Sequence, residues 1–141
     1  MRKLNQKSTA IFNKLTEGLN EPGDHKKIDN TNGSFMPVVI EHIGTMEWQG
    51  KYIDSFSIAH YFKQNGDLMQ DPEMTFYSIN GYVFPAYFLQ AGGCFPSGRL
   101  EQESIGRNPE SGKWWVKNKT QADHTSFANV WMKNIKQQQG I

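Results

Sequence analysis

The 141-residue chain carries 15 Lys/Arg against 14 Asp/Glu, 37% apolar residues, nine Phe, five Tyr, four Trp and one cysteine. That composition suits one domain with an aromatic-rich core, and it excludes a disulfide framework or a thiolate metal cluster. No apolar run approaches the length that spans a bilayer, and the apolar stretch of a signal peptide does not follow Met1-Arg2-Lys3, so a reducing, cytoplasmic setting without membrane contact is expected.

Charge is unevenly distributed. Residues 1–30 carry six Lys/Arg against four Asp/Glu, residues 31–98 two against six, and residues 99–141 seven against four. Basic flanks around an acidic centre can simply attract one another in the fold; the alternative is a basic face for an anionic partner.

In chain order, Leu4, Ile11, Leu15 and Leu19 form one helical stripe, predicting a helix over 3–19 that stops at Gly18. Residues 20–34, rich in Gly, Asn and Asp, read as a polar linker. A β-branched run from Phe35 to Ile43, a turn at Gly44-Thr45 and a second strand from Trp48 to Ile53 read as a first hairpin. Phe56, Ile58, His60 and Phe62 alternate with Ser57, Ala59, Tyr61 and Lys63, which reads as a strand with helix as the alternative.

Asn65-Gly66-Asp67 and Asp71-Pro72 are breakers, after which Met74–Ile79 and Tyr82–Gln90 flank Asn80-Gly81, a strong hairpin signal because both turn positions favour positive φ. Pro85 lacks a ladder N–H and so belongs at an edge or a bulge, and Ala91-Gly92-Gly93-Cys94 ends that strand. Arg99–Ser104 reads as a polar outer strand, Arg107–Gly112 as a loop and Trp114-Trp115-Val116 as a short strand or a packed hook. Phe127, Val130, Trp131 and Ile135 mark a final helix over 123–139, with Asp123 or Thr120 as N-cap and Gly140 as its end. The fold class is therefore α+β: a single domain in which an antiparallel sheet of five or six strands, within residues 36–104, packs against N- and C-terminal helices, with a loop and short strand over 105–119.

Two constellations can carry chemistry. His60, Asn65, Asp67, Asp71 and Glu73 lie within fourteen residues; His60 with Asp67 or Glu73 are the catalytic candidates, although Asx, Gly and Pro at this spacing also serve turns by themselves. The register of a calcium-binding loop is missing, and His42 with His60 lacks a third ligand, so no metal is expected. Nucleophile elbows and phosphate-binding glycine loops are absent, so no cofactor is indicated and Cys94 reads as a free thiol. Lys113-Trp114-Trp115-Val116-Lys117-Asn118-Lys119, with Arg99 and Arg107 nearby in sequence, interleaves aromatics with cations as single-strand nucleic-acid platforms do. Adjacent Trp on a strand point to opposite faces, so at least one of Trp114 and Trp115 belongs to the core.

The run from His60 to Met74, HYFKQNGDLMQDPEM, resembles an uncharacterised domain-of-unknown-function family of bacterial plasmids, conjugative elements and phages with the core H-Y-[FY]-x-Q-N-G-D-L-M-x-D-P-E-M. The resemblance implies a mobile-element accessory protein, without an assigned activity or catalytic residues, and makes His60, Asn65, Asp67, Asp71 and Glu73 shared polar positions. The sequence departs from the pattern after Pro85. Together these readings lead to a non-enzymatic protein that binds a macromolecular partner, a host-defence or transfer-machinery protein, through its acidic centre, with Asn65, Asp67, Asp71 and Glu73 at the contact. A single-stranded nucleic-acid-binding module and a small metal-dependent or acid–base enzyme are the alternatives.

Overall fold

A computed structural model describes residues 1–92 and 97–141. Helix α1 (Gln6–Thr16) is followed by β1 (His25–Ile28), β2 (Val38–Trp48), β3 (Lys51–Gln64), β4 (Asp67–Ile79), β5 (Tyr82–Ala91) and β6 (Arg99–Glu103). These strands form an antiparallel meander in the order β1-β2-β3-β4-β5-β6. A two-stranded ribbon of β7 (Ile105–Arg107) and β8 (Trp114–Val116) follows, and α2 (Asn118–Gln139) closes the fold. The α+β class and the helix-on-sheet packing are as the sequence patterns indicate.

One sheet face is covered by both helices. Val38, Ile40, Phe56, Ile58, Met74, Phe76 and Val83 meet Ile11, Phe12 and Leu15 of α1 and Ala128, Trp131, Met132 and Ile135 of α2 in one buried cluster. Phe12 is its pivot, set edge-on to Phe56 at 5.6 Å and tilted on Phe76 at 5.4 Å. Burying a side chain of this size contributes about 1.5–3 kcal/mol, so a few aromatics compensate for the modest apolar fraction.

Three hairpin turns share one backbone solution. Gln49-Gly50, Asn65-Gly66 and Asn80-Gly81 each place two consecutive residues at positive φ, with values of 49° and 75°, 52° and 86°, and 51° and 82°. That twist matches the right-handed twist of the paired strands. The first hairpin therefore turns at Gln49-Gly50 and not at Gly44-Thr45: Gly44 lies inside β2, where the register shifts between His42 and Gly44 to form a bulge. Asp71-Pro72 likewise interrupts no strand, being absorbed by a second bulge opposite His60, where the register shifts between Ala59 and Tyr61. At Pro85 a third bulge shifts the register between Thr75 and Phe76, so the proline costs no ladder bond there.

Other boundaries move for identifiable reasons. The segment 20–34 is not wholly a linker, because His25–Ile28 pairs with β2 as an edge strand. Lys26 points to the helical side, and its ammonium donates to the carbonyls of Lys14 at 3.3 Å and Glu17 at 2.8 Å, satisfying the C-terminal end of α1. Helix α1 is shorter than 3–19, yet Leu4 and Leu19, beyond its ends, are both buried. Helix α2 begins at Asn118, five residues before Asp123; its N-cap is Lys117, without a side-chain cap bond, and neither Asp123 nor Thr120 takes that place. Its buried stripe runs through Gln121, His124, Thr125, Ala128, Trp131, Met132, Ile135 and Gln139, leaving Phe127 and Val130 at 41% and 60% exposure. Gly140, at φ 66°, ends the helix in the left-handed conformation, its N–H bonded to the Lys136 carbonyl. Cys94 lies outside the described residues.

Candidate functional site

The other sheet face divides in two. Over one half, the β7–β8 ribbon lies on Tyr77 and Phe84, enclosing an apolar cavity of about 80 Å³ lined also by Trp48, Ile53, Ile105 and Trp114. Trp114 meets Tyr77 edge-on at 5.8 Å, and its indole Nε1 is buried without a hydrogen-bond partner among the described residues.

The other half is open. Register places His25, Glu41, Ser57, Thr75, Tyr87 and Glu103 side by side in one row across all six strands. The next row is Lys27, Val39, Ala59, Glu73, Leu89 and Glu101. Residues directly opposite one another in an antiparallel pair share a face, so both rows look the same way. The intervening row, Lys26, Ile40, Ile58, Met74, Phe88 and Gln102, faces the helices. Alternation thus separates an apolar layer from one with four carboxylates.

Glu73 is the centre of the open face. A shallow depression of about 340 Å³ joins it to Val39, Glu41, Ser57, Tyr61 and His25. The Tyr61 hydroxyl donates to Glu73 Oε1 at 3.4 Å, and the Tyr87 hydroxyl donates to Glu101 Oε2. Burial raises the Glu73 carboxyl above its ordinary value and the charges of Glu41 and Glu101 add to this, while hydrogen bonds from Tyr61 and Ser57 act against it. Burial and the neighbouring carboxylates also raise both tyrosine hydroxyls, which remain neutral donors. The face is therefore an acidic surface with aromatic, hydrogen-bonding walls.

His60, Asp67 and Glu73 do not converge. His60 is buried on the helical side, where Trp131 Nε1 donates to its Nδ1 at 3.4 Å and the rings meet edge-on. With Nδ1 accepting, the proton sits on Nε2, which has no partner among the described residues. Burial lowers the His60 pKa, partly offset by the charge of Asp71. Asp67 is exposed beside the Asn65-Gly66 turn, paired with Gln64. Asn65 is itself a turn residue at φ 52°, and Asp71 Oδ1 accepts from Gln90 Nε2 at 2.7 Å. Of the four residues placed by sequence at a partner contact, only Glu73 belongs to the open-face rows. Among the described residues, no three His, Cys, Asp or Glu side chains are grouped to hold a metal ion.

The basic-aromatic segment is also dispersed. Trp115 lies against Gly106 with the Lys117 ammonium 5.6 Å from its ring, while Trp114 turns toward the apolar cavity with the Arg107 guanidinium 5.7 Å away. Arg107 donates to the Gly112 carbonyl, and Arg99 pairs with Glu101 at 3.2 Å on β6. Lys113 and Lys119 are exposed, the latter paired with Asp123.

The family model described as Domain of unknown function (DUF6908) matches residues 6–141. The chain belongs to this family. No curated protein and no solved structure matches it. The DUF6908 match takes in both helices and all eight strands, so the open face and the helical layer are parts of one family domain. Among the described residues, no helix is long and apolar enough to cross a membrane.

Sequence reasoning missed Glu41, Tyr61, Tyr87, Glu101 and Glu103 as companions of Glu73. The signal was present as period-two alternation. It was hidden by the misplaced turn at Gly44-Thr45 and by two bulges, each of which exchanges the faces of the residues that follow.

Proposed function

We propose that this domain is a non-enzymatic accessory protein of mobile elements that binds a protein partner through its open sheet face. The partner it suits is a lysine- or arginine-rich segment of a host-defence or transfer-machinery protein. The observation that carries the reading is the alignment of Glu41, Glu73, Glu101 and Glu103 on one uncovered face, beside the hydroxyls of Tyr61 and Tyr87. Burial first, and then the charges of Glu41 and Glu101, raise the Glu73 carboxyl, and a basic side chain seated there would offset that repulsion. Tyrosine supplies contact area and a hydrogen bond for little conformational entropy, the combination that favours it at interfaces. The mobile-element setting rests on the resemblance of residues 60–74 to the plasmid and phage sequence core.

Binding of a fluorescent alternating Lys-Val decapeptide, measured by anisotropy, tests this reading. The intact domain should bind it at least tenfold more tightly than a Glu-Val decapeptide. The combined Glu41→Gln, Glu73→Gln and Glu101→Gln variant should lose that preference while keeping its melting temperature. Equal affinity of the folded variant and the native protein for the Lys-Val peptide would overturn the proposal.

A further inference from the structure

A second concavity lies on the opposite side of the molecule. A groove of about 680 Å³ runs between α1 and α2, and its lining includes Lys7, Lys14, Lys133 and Lys136 but no Asp or Glu. None of these four ammonium groups takes part in an ion pair among the described residues. The basic flanks of the sequence therefore do not neutralise its acidic centre by direct pairing there. They are folded against one another, and the sheet separates them from the open acidic face.

The geometry points to a second site: we infer that the α1–α2 groove binds the phosphodiester backbone of a nucleic acid. Lys7 and Lys14 are two turns apart on α1, about 10 Å along its axis. Lys133 and Lys136 are three residues apart on α2, a spacing that places them on one helix face. Four like charges along a groove repel one another, and a chain of anions removes that repulsion while releasing counterions.

The donor set selects an extended polyanion over a compact phosphate. The lining has no arginine fork, and the N-terminus of α1 is satisfied internally, since Asn5 Oδ1 accepts from the Ser8 N–H at 2.8 Å. The far end of the groove, at Lys14, Lys136 and Gly140, lies by the C-terminal ends of both helices, which present no free first-turn N–H groups to a compact anion. Among the described residues no aromatic side chain lines it, so bases have nothing to stack on there and contact is with the backbone. Recognition there is insensitive to sequence.

Fluorescence anisotropy with a labelled 20-nucleotide single strand, titrated across salt concentration, tests the inference. Four phosphate contacts give a slope of about −3 for log affinity against log salt on a single strand. The combined Lys7→Gln, Lys14→Gln, Lys133→Gln and Lys136→Gln variant, altered only at exposed positions, should bind at least tenfold more weakly with a slope near zero. A variant carrying Lys113→Gln, Lys117→Gln and Lys119→Gln should bind as the native protein does. Unchanged binding by the folded groove variant, or loss of binding only in the second variant, would overturn the inference. So would competition by inorganic tripolyphosphate as effective, per phosphate, as unlabelled strand, which would make the groove a compact phosphate pocket. Salt-sensitive self-association without nucleic acid, abolished in the groove variant, would assign the groove to a second copy's acidic face and also overturn it.

Discussion

Gln121 of α2 donates from Nε2 to the carbonyl of Pro85 in β5 at 3.2 Å, joining the first turn of the last helix to the bulged half of a strand 36 residues earlier. The same amide brackets Arg2, donating to its carbonyl at 2.7 Å and accepting from its N–H at 2.6 Å. Strand β6 pairs with β5 only from Tyr87 to Ala91, so the preceding half would otherwise present an edge. The N-terminal segment covers it, with the Leu4 N–H donating to the Val83 carbonyl at 2.8 Å. Gln121 is 1% exposed, so its removal leaves buried groups that water reaches poorly. Gln121→Leu is expected to cost about 3 kcal/mol, because partners left unsatisfied in the interior carry their full desolvation penalty. Urea unfolding should show the lower midpoint, and amide exchange at Arg2 and Leu4 should accelerate.

That role was not legible in the sequence, where Gln121 is one polar residue in a polar stretch. Hydrophobic periodicity identifies a helix only where apolar residues face the core, and the first turn of α2, Asn118 to Gln121, contributes none. Gln139 repeats the pattern at the other end: its side chain accepts from the Asn30 N–H at 2.9 Å and donates to the Met36 carbonyl at 3.1 Å, fastening the loop before β2. By contrast, the Asn80-Gly81 and Asn65-Gly66 turns, the strand through Phe56–Lys63 and the Pro85 bulge were legible, because each depends on local backbone chemistry. The open face was not, since assembling it requires the register of five strand pairs.

Two buried histidines make stability depend on pH. His124 lies between Ser104 Oγ at 2.9 Å from Nδ1 and Gln102 Oε1 at 3.1 Å from Nε2. The amide oxygen can only accept, so the neutral ring carries its proton on Nε2 and takes the serine hydroxyl at Nδ1. Burial lowers the pKa of His124 and of His60 from 6.5, partly offset by Asp123 and Asp71 respectively. A histidine with a lowered folded-state pKa contributes stability that is full above about 6.5 and is lost as pH falls toward the folded-state value, because the unfolded chain takes up the proton first. The urea midpoint should therefore fall between pH 7 and pH 5. His124→Gln should reduce the slope over that interval, and an unaltered slope would contradict the assignment.

Gly106 and Trp115 are matched across the β7–β8 ribbon as directly paired residues. A Cβ at 106 would overlap the Trp115 indole and meet Glu103 Oε1. Gly106→Ala is expected to destabilise the domain by about 1–3 kcal/mol, the range for overpacking a filled site. It should also displace Trp115, giving a red-shifted tryptophan emission and faster exchange of the ribbon amides. Gly81→Ala, by comparison, meets no atom within 4 Å and acts through its φ of 82° alone. Its effect should leave tryptophan emission in the folded state unchanged.

Substitution of Glu73 distinguishes a partner-binding role from a stabilising one. Its carboxyl is raised from an ordinary value of 4.5, first by burial and then by the charges of Glu41 and Glu101, against hydrogen bonds from Tyr61 and Ser57. The folded state therefore holds the proton more tightly than the unfolded chain does, and stability associated with this group falls as pH rises from 4.5 through the raised value. At neutral pH the carboxylate opposes folding. Glu73→Gln keeps an acceptor for the Tyr61 hydroxyl and removes the charge, so the variant should melt at or above the native temperature at pH 7 and lose that advantage near pH 4. A residue present only for structure would give the opposite result, a lower melting temperature at pH 7. If peptide binding weakens while stability holds or improves, the carboxylate at position 73 is retained at a cost to the fold, as expected of a group that meets a partner.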